Sequence, residues 1–115
     1  MDNFDKSFWD ALEELVRCSE VVIDRPKGTV HPCFPGLVYP TDYGYLRGTV
    51  SMDGEGIDVW AGSGGKRPGA MICTVDLLKR DAEIKILLGC TEEETALIEK
   101  FHNQTPFMKG ILLCR

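Results

Sequence analysis

Apolar and polar positions change their spacing several times along the chain, and each change marks an element. Phe4, Phe8, Leu12, Leu15 and Val16 recur at intervals of three and four, which predicts an amphipathic helix. Glu13, Glu14 and Arg17 take its polar side. Val21-Val22-Ile23 is a β-branched run, predicted as a strand and stopped at Arg25-Pro26, because proline cannot donate to a ladder. Pro26, Pro32, Pro35 and Pro40, with Gly28 and Gly36, make residues 26–40 largely irregular. Strands are predicted over 43–50 and 57–61, then a glycine-rich loop over 61–69. Two more strands, 70–78 and 83–88, flank the polar turn 79–82. Thr91-x-x-Glu94 is a capping box that opens a helix with Ala96, Leu97, Ile98 and Phe101 facing inward and an end near Asn103. A last strand is predicted over 109–114. The order carries no β-α-β rhythm. It predicts a mainly β fold with flanking helices, a small and mostly antiparallel barrel, as one domain over residues 1–115.

Composition narrows the function. The chain has 115 residues with 13 Lys+Arg against 18 Asp+Glu, a formal charge of −5. That length suits one core. The acidic balance argues against nucleic acid as a partner, since such binding depends on neutralising phosphates with Lys and Arg. A phosphate-bearing ligand stays compatible if a divalent cation lies between the negative charges. No apolar run approaches the roughly 18–20 residues that cross a bilayer. The acidic start, Met1 to Asp5, lacks the apolar stretch of a secretory signal. The expectation is a cytoplasmic protein with no membrane partner. Cys18, Cys33, Cys73, Cys90 and Cys114 are odd in number and form no C-x-x-C pair, so they read as reduced core hydrophobes.

Candidate chemistry concentrates in three places. Asp53-Gly-Glu55-Gly-Ile-Asp58 holds three carboxylates within six residues. In an extended backbone Asp53 and Glu55 share a face, and a turn at Gly56 swings Asp58 toward them. Clustered oxygens suit a hard cation such as Mg²⁺. An EF-hand is excluded, because the twelfth position from Asp53 is Gly64. The glycine-rich loop is no P-loop either, since Trp60 and Arg67 stand where its first glycine and its Ser or Thr belong. Asp81, Glu83 and Lys85 alternate along a strand and so share a face. Their carboxylates repel one another unless a cation neutralises them. Finally, Tyr39-Pro-Thr-Asp-Tyr43-Gly-Tyr45 brings three phenols together. Tyr39 and Tyr45 read as packing, and Tyr43 as a donor to a phosphate oxygen.

The order Tyr39–Tyr45, strand, Asp53–Val59 resembles the magnesium-dependent soluble inorganic pyrophosphatases, whose barrel is of the OB type. Val22-Ile-Asp24-Arg-Pro26 upstream, and Val75–Lys79 with Asp81, Glu83 and Lys85 downstream, extend the resemblance over roughly residues 20–103. It implies hydrolysis of pyrophosphate to two orthophosphates, with Mg²⁺ or Mn²⁺ as cofactor and a homo-oligomeric assembly. It implies Asp53, Asp58, Asp81 and Glu83 as metal ligands, with Asp24 holding a further ion. Glu55 stands where the family's carboxylate orients or deprotonates the attacking water, and Tyr43 and Lys85 where it binds phosphate. The motif departs from the family at Glu55, an aspartate there, and at Gly56, a proline there. His31 occupies the position of a phosphate-binding arginine, with Arg25 and Lys27 as the substitutes at hand. His102-Asn103 replaces a Tyr-Lys pair. Two alternatives follow from these departures: a hydrolase of another diphosphate-bearing metabolite, and a non-catalytic member that binds metal and phosphate.

Overall fold

The structure, a computed structural model, describes residues 4–115. Met1, Asp2 and Asn3, the start of the acidic N-terminal segment, lie outside the described residues. The chain forms α1 (Phe4–Arg17), β1 (Glu20–Arg25), β2 (Asp42–Arg47), β3 (Ile57–Ala61), β4 (Pro68–Asp76), β5 (Asp81–Leu88), α2 (Glu92–Phe101) and β6 (Met108–Cys114). All six strands join one sheet in the order β1-β2-β3-β5-β4-β6.

Four of the five neighbouring pairs are antiparallel, as expected, and the fifth is not. β3 runs parallel to β5, with Val59, Trp60 and Ala61 opposite Ile86, Leu87 and Leu88. The mainly β architecture with flanking helices is as the pattern predicts, but the sheet is open rather than closed into a barrel, with β1 and β6 as its edges. Successive residues on a strand point to opposite faces, and here both faces are apolar in the middle of the sheet. Leu46, Val59, Met71 and Ile86 pack under α1 through Trp9, Leu12 and Val16. Their chain neighbours Trp60, Ile72 and Leu87, with Tyr43 opposite Trp60, pack in one cluster with Ile98 and Phe101 of α2. The sheet is the middle layer of three.

The buried stripe of α1 differs from the expected one. Trp9 is 6% exposed, whereas Phe4 is 75% exposed and Phe8 and Leu15 also reach solvent. Trp9, Leu12 and Val16 are spaced by three and four, so they form a stripe of their own, rotated from the Phe4–Phe8 line. In α2, Leu97 is exposed while Ile98 and Phe101 are buried. The capping box forms as read: Glu94 N donates to Thr91 Oγ1 at 3.1 Å, and Thr91 N donates to Glu94 Oε1 at 2.8 Å.

β2 ends at Arg47, before Gly48 with its φ of 85°, three residues short of the predicted boundary. The β4–β5 turn lies at 77–80, earlier than predicted, with Asp76 Oδ1 accepting from the backbone N–H of Leu78 at 2.9 Å and Lys79 at 3.0 Å. The cysteines are free, but the core placement expected for them fails: Cys18, Cys33 and Cys114 are exposed, and Cys73 and Cys90 are half-buried.

Candidate functional site

Strand periodicity assembles the site. Tyr43 on β2 lies opposite Trp60 on β3, Asp58 precedes Trp60 by two, and Lys85 precedes Leu87 by two on β5. All five therefore share the α2 face of the sheet. β3 and β5 pair only from Val59 and Ile86 onward, so Asp58 and Lys85 meet where the two strands begin to part. Lys85 Nζ donates to Tyr43 Oη at 2.8 Å, to Asp58 Oδ2 at 3.0 Å and to Glu83 Oε2 at 3.0 Å. Tyr43 Oη in turn donates to Asp58 Oδ2 at 2.8 Å. An ammonium has three N–H donors, and all three are used.

The side chain of Lys85 is only 9% exposed. Burial by itself would lower its pKa, but Tyr43, Asp58 and Glu83 outweigh burial and raise it, so the ammonium keeps its charge. Burial is the main force raising the Tyr43 phenol, which stays a proton donor well above neutral pH.

A second cation stands beside this group. β1 is bulged between Ile23 and Arg25, so Arg25 pairs with Tyr43 and Asp24 is left exposed. The Arg25 guanidinium donates to Tyr39 Oη and lies 5.6 Å from that ring's centroid. Tyr39 and Tyr43 rings are 5.4 Å apart, and Lys85 Nζ is 5.4 Å from the Tyr43 centroid. Two phenols thus separate two cations along one wall of a cleft of about 220 Å³. His31, Lys79, Asp76 and His102 also line it. Burial lowers the pKa of His31, and Arg25 and Lys79 lower it further, which keeps the imidazole neutral at physiological pH.

Of the residues expected at the site, Tyr43, Asp58, Glu83 and Lys85 come together, and Arg25 and His31 line a cleft with Tyr43 and Lys85, but not with Asp58 or Glu83. The others do not join them. Asp53 is exposed and folds back on its own turn, accepting from Ser51 Oγ at 2.6 Å and Glu55 N at 2.8 Å. These bonds, the one to Ser51 first, hold its carboxyl below the usual range. Glu55 is exposed on the same turn. Asp81 sits opposite Asp76 at the far end of the β4–β5 ladder. Lys27 is exposed, with its backbone N–H on Asp42 Oδ1 at 2.8 Å.

Two residues act that the sequence reading set aside. Tyr39, read as packing, also fixes Arg25. His102, buried at the end of α2, accepts from Trp60 Nε1 at 3.1 Å, and its Nδ1 lies 3.3 Å from Met108 Sδ. Trp60 is fully buried and packs on Tyr43 at 4.8 Å and Tyr39 at 5.5 Å. His102 therefore supports the floor of the cleft without reaching into the carboxylate cluster. Burial first, then Lys85 and His31, push its pKa from 6.5 down to about 3. The unfolded chain binds this proton near pH 6.5, the folded chain only near pH 3. Stability is therefore expected to fall as pH drops below 6.5, by about 1.4 kcal/mol per pH unit from this group. His102→Gln, which retains an acceptor for Trp60, should flatten that slope in urea unfolding between pH 7 and 4.5. Parallel slopes for the two proteins would refute the assignment.

The donor set decides what metal the site could take. Among the described residues, no three His, Cys, Asp or Glu side chains are grouped to hold an ion. Asp58 and Glu83 are a pair, both on the same ammonium. Mg²⁺ uses one or two carboxylates and completes its octahedron with waters and substrate phosphate oxygens. The pair fits an ion held partly by substrate, not a closed cage.

No family model matches the sequence, and no curated protein matches it. Solved structures do match by fold. The inorganic pyrophosphatase of Helicobacter pylori superposes with a TM-score of 0.55 at 14% identity, covering 84% of this chain and 82% of that one. An inorganic phosphatase of Anaplasma phagocytophilum superposes with a TM-score of 0.52 at 14% identity, covering 82% and 81%. Six strands, two helices and the cleft between Arg25 and Lys85 are thus carried on a fold similar to that of the bacterial inorganic pyrophosphatases.

Proposed function

We propose that this chain, as one domain over residues 1–115, is a metal-assisted hydrolase of the phosphoric anhydride bond, with inorganic pyrophosphate as the simplest substrate. The observation that carries the reading is the Tyr43–Asp58–Lys85–Glu83 cluster, whose Tyr43 and Lys85 line the cleft that also presents Arg25 and whose Asp58 and Glu83 line the neighbouring pocket beside Ser51. Phosphoryl transfer asks a protein mainly for positioning and for charge opposite the phosphate oxygens. Lys85 and Arg25 supply fixed positive charge on either side of Tyr39 and Tyr43. The Tyr43 hydroxyl can leave Asp58 for a phosphate oxygen while Lys85 still holds the phenol in place. That exchange frees an Asp58 oxygen as substrate enters.

Asp58 and Glu83 would hold the divalent cation. When bound, such an ion neutralises charge on the phosphoryl group and lowers the pKa of a coordinated water. Asp53, Glu55, Asp81 and Asp24 stand outside this cluster, so the reading rests on fewer carboxylates than the resemblance implies. A catalytic base at Glu55 would require the 51–56 turn to swing inward.

The test is direct. Full-length protein with Mg²⁺ or Mn²⁺ should release two orthophosphates from pyrophosphate. Asp58→Asn keeps acceptor geometry for Tyr43 and Lys85 but loses the charge, and should lower kcat at least about 100-fold. No release with either metal from the unmodified chain would overturn the reading.

A further inference from the structure

We propose that the cleft is built for an organic diphosphate, one whose second phosphate carries an apolar or aromatic substituent lying against Phe34 and Leu78. This rests on the anhydride-hydrolase reading and names its substrate class.

The cleft changes character from floor to mouth. Lys85 at the floor is 7% exposed, and Leu78 at the mouth is 59% exposed. Pro32, Phe34 and Leu78 add an apolar wall to the lining beside Asp76 and Lys79. A bare anion gains nothing from that wall and loses water against it. An apolar substituent covers it.

The wall is preformed. Phe34 packs against the core cluster that holds Tyr39 and Phe101. The His31 ring lies 5.3 Å from Phe34 and is parallel to Tyr39 at 6.0 Å. Kept neutral by burial, His31 offers this wall a flat ring rather than a phosphate-pairing charge.

The charged groups of the lining are Arg25, Lys79, Lys85 and Asp76, while Asp58 and Glu83 contact Lys85 from outside it. Three cations along the lining can meet both phosphates of a diphosphate. The terminal phosphate would sit at Tyr43 and Lys85, and the ester phosphate toward Arg25 and Lys79.

The balanced step is hydrolysis. The water oxygen forms a bond to the terminal phosphorus, and the bond from that phosphorus to the bridging oxygen breaks. The electron pair stays on the bridging oxygen of the organic monophosphate, and the water's proton passes to solvent or product. Orthophosphate and a monophosphate ester leave.

Orthophosphate release by the full chain with Mg²⁺ should be compared on pyrophosphate, ADP and butyl diphosphate. At least one ester should show kcat/KM tenfold or more above pyrophosphate. Leu78→Asp should raise KM for that ester about tenfold or more, with little change in kcat, and shift pyrophosphate less. Hydrolysis of pyrophosphate with neither ester preferred, or an equal effect of Leu78→Asp on both, overturns this inference and leaves the hydrolase reading standing. If none of the three is hydrolysed, the hydrolase reading falls, and calorimetry decides the cleft's preference. Butyl methylenediphosphonate binding tenfold tighter than methylenediphosphonate supports it, and equal or weaker binding overturns it.

Discussion

Lys85→Met is expected to abolish orthophosphate release and to lower stability by about 2–4 kcal/mol, read as a shift of the urea midpoint. The side chain fits the same space, so the loss is electrostatic. It leaves Asp58 and Glu83 facing each other without the ammonium that now bonds both at 3.0 Å, and leaves the Tyr43 oxygen without its donor. Removing one member of a buried charge group costs more than the group is worth intact, because the remaining charge is left uncompensated. Asp58 and Glu83 retain 30% and 20% side-chain exposure, so water relieves part of the cost. Adding Glu83→Gln should therefore recover part of the stability and none of the activity. A Lys85→Met protein with the parent's midpoint and turnover would remove Lys85 from the centre of the site.

Gly44→Ala should cost on the order of 3 kcal/mol or more, a large part of a small domain's stability. A Cβ at this position would fall on the carbonyl oxygen of Val22, with its carbon at 2.7 Å and Ile23 Cα at 2.9 Å. All three are backbone atoms of β1, so no rotamer change relieves them. β1 must move away from β2, and Arg25, paired with Tyr43 at the end of that ladder, moves with it. Thermal unfolding and pyrophosphate binding should fall together. By contrast Gly48→Ala, where no atom lies within 4 Å, should show only the milder strain of its φ of 85°. A Gly44→Ala protein that melts with the parent would mean the two strands are less tightly apposed.

Local periodicity carried most of the elements and about half of the site. Glu83 and Lys85, two apart on one strand, do share a face and do touch. The same argument fails for Asp53 and Glu55 because it assumes extended backbone. Gly54 has a φ of 83°, and the Asp53 carboxylate spends its acceptors on Ser51 and the Glu55 N–H. A short acidic Gly-rich stretch can satisfy itself locally, and nothing in its composition says whether it will. The parallel β3–β5 pairing was invisible for another reason: it joins residues far apart in sequence, and no local pattern encodes which strand lies beside which. Trp9 taught a smaller lesson. Phe4 and Phe8 continue the helical period as well as Trp9 does, and only the sheet beneath decides which stripe it covers.

The parallel seam has a consequence for how the molecule comes into being. β1, β2 and β3 lie side by side in chain order on one side of the seam, and β5, β4 and β6 make up the other, with β6 returning past α2 to pair with β4. Tyr43 and Asp58 belong to the first half, while Glu83 and Lys85 belong to the second. Until the halves dock, neither carries more than two members of the cluster. Ligand binding is thus a report on docking, and any ligand held there clamps the joint between the two halves of the sheet.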